Sequence, residues 1–66
     1  MNDPIIDAAL RDLESTSEQI GTAEVLIKIL REAGEDVAEQ SAHLGQLRAR
    51  REKLMVSLRN NGAKTP

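Results

Sequence analysis

His43 is the only histidine in the chain, and its helical neighbours at −7 and −4 are Asp36 and Glu39. A histidine beside carboxylates can hold a divalent ion or exchange a proton near neutral pH. The rest of the sequence gives that chemistry little support. There is no cysteine and no tyrosine, which removes thiolate nucleophiles, zinc–thiolate sites and disulfides. The Glu-x-x-His spacing that builds metal centres inside helical bundles is missing. The glycines stand singly, so no loop can cradle a phosphate. The expectation is a protein with no catalytic residues, no metal, no cofactor and no small-molecule substrate.

The densest charge run is RARREK, residues 48–53. It poses a choice between a phosphate backbone outside the molecule and carboxylates within it. The charge is divided along the chain: residues 1–42 hold ten acids and three bases (−7), residues 43–66 six bases and one acid (+5), giving the net −2. If the second half folds back on the first, the basic run lies beside Asp7, Asp12, Glu14 and Glu18. Neutralising them is then its simplest role, although each exposed pair contributes only ~0–1 kcal/mol. The alternative is a nucleic-acid face made of Arg48, Arg50, Lys53 and Arg59, since a symmetric dimer of helical hairpins can present paired basic helices to folded RNA or DNA. The net acidity and the absence of any aromatic residue for base stacking weigh against it.

These residues need elements to position them, and the composition points to helices. Ala, Leu, Glu, Arg, Ile and Gln dominate, and the two prolines stand at Pro4 and Pro66. Asp3-Pro4 is a helix start, with a capping carboxylate followed by proline at the first helical position. Ile6, Leu10, Leu13, Ile20, Ala23, Ile27 and Leu30 then recur at helical spacing. Gly34 suits the left-handed residue that ends a helix. Val37, Leu44, Leu47, Leu54 and Leu58 carry a second stripe, and Asn61-Gly62 is a second stop. The spacing predicts helix 1 over about 4–33, a turn at about 34–35, helix 2 over about 36–60, and a loose tail at 63–66. Ser15 and Glu18 have the spacing of a capping box, so a break there would give three helices. The phase kept from Leu13 to Ile20 favours one continuous helix.

A short connection makes the helices antiparallel. The fold expected is therefore all-α, a single-domain helical hairpin over residues 1–62, with facing residue numbers summing to about 69. Arg51 falls inside the leucine stripe, opposite Thr16 and Ser17. The three either form a polar layer that fixes register, or Arg51 lays its stem along the core and keeps its head in water.

A hairpin needs one apolar stripe per helix, and this chain has more. Val25, Leu26 and Ile29 lie off the seam of helix 1. Ala38, Ala42, Gly45, Ala49 and Val56 form a small-residue stripe on helix 2. Glycine inside a helix costs about 1 kcal/mol relative to alanine, so propensity alone does not explain Gly45. These residues are expected to form a protein interface, first with a second copy in a dimeric four-helix bundle. A larger protein is the other partner expected, with the chain as a small adaptor, co-chaperone or inhibitor. No run reaches the ~18 apolar residues that cross a bilayer, and the first residues carry acids where a leader carries bases. The expected location is the cytoplasm, with no membrane partner.

Overall fold

The computed structural model describes residues 3–61 and contains two α-helices, α1 at Pro4–Glu32 and α2 at Ala38–Asn61, packed antiparallel. No strand occurs among the described residues. The molecule measures 52 × 16 × 13 Å, one helical hairpin in length and breadth. The expected stop at Gly62 and the tail at 63–66 lie outside the described residues.

Local chemistry sets each boundary. Asp3 has extended backbone angles, and its Oδ1 accepts from the Ile5 N–H at 2.9 Å and the Ile6 N–H at 3.4 Å. Pro4 follows at the position where a missing N–H costs nothing. At the far end Gly34 takes φ +81°. The Glu35 N–H donates to the Leu30 carbonyl at 2.9 Å and the Gly34 N–H to the Arg31 carbonyl at 3.0 Å. This pair of bonds is the Schellman closure, which consumes carbonyls the helix end would otherwise leave unpartnered. The connection runs over 33–37, wider than the two residues expected. Asp36 lies outside α2 and caps it, its Oδ1 accepting from the Ala38 N–H at 3.0 Å.

α1 passes through residues 15–18 without a break. The Thr16 hydroxyl donates to the Asp12 carbonyl one turn back at 2.7 Å. That bond satisfies the hydroxyl inside its own helix, so it does not open a new one.

The core is small. Ile20, Ile27, Leu44 and Leu47 are buried, with Ala23 and Val37 packed against them. The shielded positions of α1 other than Asp12 follow alternating steps of three and four, 6, 9, 13, 16, 20, 23, 27 and 30, and Val37 with the shielded positions of α2, 40, 44, 47, 54 and 58, keeps that rhythm except at 51, which is exposed. This is the heptad spacing of a coiled-coil seam. The two cross-helix ion pairs, Glu24–Arg48 and Asp12–Arg50, have numbers summing to 72 and 62, so facing residues sum to about 67, close to the sum of about 69 that the spacing predicts. Leu10 was expected in the seam and is 49% exposed instead, with Ala9 in the shielded position. The step from Ile6 to the seam's next position is three residues, not four, and size alone favoured the leucine.

Candidate functional site

Two cross-helix ion pairs fix the flanks of the seam. Arg48 Nη2 meets Glu24 Oε2 at 2.7 Å, and Arg50 Nη2 meets an Asp12 carboxylate oxygen. Glu24 and Arg48 lie just beyond the seam on one side, Asp12 and Arg50 on the other. Residues seven apart share a flank, so Leu10 and Met55 join the Glu24–Arg48 side, while Leu26 and His43 join the Asp12–Arg50 side. Ala23, Leu26, Gln40 and His43 indeed line one shallow depression there.

Two of the four bases in the run, Arg48 and Arg50, therefore pair across the hairpin, their side chains still about half exposed. The residues of the nucleic-acid alternative do not gather on one face. Arg48 and Arg59 are close in angle on the helical wheel, whereas Arg50 and Lys53 lie roughly 120–200° away from them. Arg48 and Arg50 are each already bonded to a carboxylate.

The three residues of the expected polar layer differ in exposure. Thr16 is the most buried residue, 1% exposed, and bonds to its own helix. Ser17 and Arg51 are exposed. Glu14 and Glu18, two of the acids expected beside the basic run, are in neither cross-helix pair, and Arg50 makes the bond across the seam. Arg51 still occupies the level opposite Thr16. An aliphatic stem along the seam with its guanidinium in water accounts for both exposures.

The residues expected to form a protein interface are uncovered. Val25 is 58% exposed, Leu26 45%, Ile29 56% and Val56 39%. Ala38, Ala42, Gly45 and Ala49 are exposed as well. A Cβ built on Gly45 meets no atom within 4 Å, so nothing inside the hairpin asks for glycine there. They do not form one surface, however. Val25 and Ile29 lie roughly 170–210° from the α1 seam, on the back of that helix. The groove they line contains only α1 residues, Glu18, Gly21 and Thr22 among them. The alanines and Gly45 occupy the back of α2, roughly 130–190° from its seam. The hairpin thus carries Val25 and Ile29 on one outer edge and mainly small side chains on the other, where Val56 is the large one. No single flat partner touches both.

Gly21, Leu10 and Met55 belong with these surfaces although sequence reasoning did not place them there. Gly21 also has open space where a Cβ would be. Leu10 and Met55 (40% exposed) sit together on the Glu24–Arg48 flank. The seven-residue spacing from Glu24 and Arg48 is the signal that could have located them, once the ion pairs were known.

Among the described residues there is no cluster of three or more potential metal ligands, and no helix long and apolar enough to cross a membrane. No protein-family model, no curated protein and no solved structure matches the chain.

Proposed function

We propose that this chain is a non-enzymatic protein-binding module that works by helix–helix packing, associating first with copies of itself and through that surface with a larger protein it adapts to, assists or inhibits. The observation that carries the reading is the trio Val25, Leu26 and Ile29, contiguous on α1 and each 45% exposed or more. A hairpin whose core holds four buried apolar side chains leaves comparable apolar surface in water. Contiguous exposed patches of this kind mark interaction sites. The open space at Gly45 supports the same reading, because glycine there weakens the helix and serves nothing inside the chain.

The test is the solution mass of the purified chain, together with capture of partners on wild type and on Val25→Asp/Ile29→Asp. Retained helicity with loss of both self-association and partner capture supports the reading. Unchanged mass and unchanged capture in the variant refute it. The nucleic-acid alternative has one physical support, the +5 charge of residues 43–66. Its test is a gel shift against structured RNA and duplex DNA at low salt, repeated with Arg48→Glu/Arg50→Glu.

A further inference from the structure

The two outer edges of the hairpin differ in a way that makes them complementary to each other. The back of α1 presents Val25 and Ile29, both more than half exposed. The back of α2 presents Ala38, Ala42 and Gly45, and a Cβ at Gly45 would meet open space. Over the half of the hairpin nearer the turn, large side chains on one edge and small ones on the other are knobs and their holes, set on opposite sides of one molecule, while Val56, 39% exposed, lies further along the back of α2.

The register supports the match. Copies arranged about an axis parallel to the helices stand level, so the numbering relation of the intramolecular seam carries over to the new contact. Val25 then meets the level of Ala42 in the next copy, and Ile29 that of Ala38. Lys28 stands at the height of Glu39, and Glu14 at that of Lys53, opposite charges in both cases. The symmetric alternatives fare worse. An α1-to-α1 contact centred on Val25 sets Glu18 against Glu32, two acids. A square four-helix bundle would close over one flank of the seam, and each flank is crossed by an exposed ion pair, Glu24–Arg48 or Asp12–Arg50. Burying either pair carries a desolvation cost.

The exposed area also fits. The chain exposes 5259 Å², whereas a compact monomer of this mass exposes about 4,100 Å². The surplus of about 1,100 Å² exceeds the roughly 800 Å² that each partner contributes to one standard interface, and a copy using both edges contributes to two, about 1,600 Å². Packing hairpins side by side removes the surplus that an isolated elongated hairpin cannot.

We infer that the chain self-associates head to tail, the back of α1 in one copy seated on the back of α2 in the next. This rests on the protein-binding reading above and specifies its partner as a second copy. Such a contact uses two different surfaces, so it builds closed rings or open rows and does not stop at a twofold dimer.

The test is a mixing experiment read by sedimentation equilibrium. Val25→Asp/Ile29→Asp spoils the α1 edge, and Ala42→Glu/Ala49→Glu spoils the α2 edge. All four positions are exposed in the hairpin, and circular dichroism checks that each variant stays helical. If a charged pair unfolds a variant, Val25→Ser/Ile29→Ser or Ala42→Gln/Ala49→Gln replaces it. Wild type is expected to form species larger than a dimer. Each variant alone is expected to be monomeric, and an equimolar mixture to form a one-to-one dimer that does not grow, because each variant retains the edge the other lacks. A mixture that stays monomeric, a variant that dimerises alone, or a wild type that stops at a dimer overturns the head-to-tail contact while leaving protein binding intact. A monomeric wild type that still captures a different protein also overturns it. A monomeric wild type that captures nothing removes the parent reading too.

Discussion

By the register of the two ion pairs, Thr16 and Arg51 fall at one level of the seam, yet Thr16 is 1% exposed while Arg51 reaches solvent. The hydroxyl has already donated to the Asp12 carbonyl at 2.7 Å, and that carbonyl also serves the backbone ladder. Replacing Thr16 by valine therefore strands no polar group. Thr16→Val is expected to leave stability unchanged or raise it by up to about 1 kcal/mol, measured by urea unfolding.

Arg51 contributes its stem, not its charge. Arg51→Met keeps an aliphatic chain over Thr16 and is expected to hold stability. Arg51→Ala removes the cover and is expected to cost about 1 kcal/mol. Equal losses in the two variants, reversed by neither length nor apolarity, would point to the guanidinium instead. Urea midpoints at low and high salt separate the two.

Gly34 closes α1 with φ +81°, a conformation that costs an L-residue about 1–2 kcal/mol. Gly34→Ala is expected to lower stability by about 1 kcal/mol without altering oligomeric state, since the turn lies away from both outer edges. A thermal midpoint unaffected by the substitution would contradict the role assigned to the Schellman closure.

Gly45 should behave in the opposite sense. Its surroundings are open, so Gly45→Ala is expected to stabilise the isolated hairpin by about 0.8–1 kcal/mol through helix propensity. Gly45→Leu is expected to keep helicity and to reduce self-association, because a large side chain then fills the small-residue edge. A Gly45→Leu protein that assembles as wild type does would show that this edge is not a contact.

How much of this could be read from the chain depends on how local each determinant is. Asp3-Pro4 and Gly34 act over one turn, and both boundaries were legible from residue type alone. The widened connection was less so, because Asp36 caps α2 from outside the helix and an acid there reads equally well as its first turn. The second apolar faces were visible as periodicity on the individual helices. Their separation onto opposite edges was not, since it depends on the register of two helices and on which way each back points. Leu10 shows the same limit: at one position of a stripe, a large leucine outweighed the neighbouring alanine by size, while the three-and-four rhythm of the seam selected Ala9.

The opening ambiguity of the basic run resolves through geometry too. Arg48 and Arg50 are two residues apart, so they point to opposite flanks of α2 and find Glu24 and Asp12. Both pairs are about half exposed, and breaking either is expected to cost no more than ~1 kcal/mol. Wild-type protein is expected to show no salt-sensitive shift of RNA or DNA. A shift at low salt that Arg48→Glu/Arg50→Glu abolishes would support the nucleic-acid reading instead.

The most direct measurement is the solution mass of the full chain over a dilution series, by sedimentation equilibrium with helicity recorded in parallel. The account predicts a mass above the 7.2 kDa of one chain, falling towards it on dilution, and a single-chain mass throughout for Val25→Asp/Ile29→Asp. A fully helical wild type holding the mass of one chain at every concentration would contradict self-association through the outer edges.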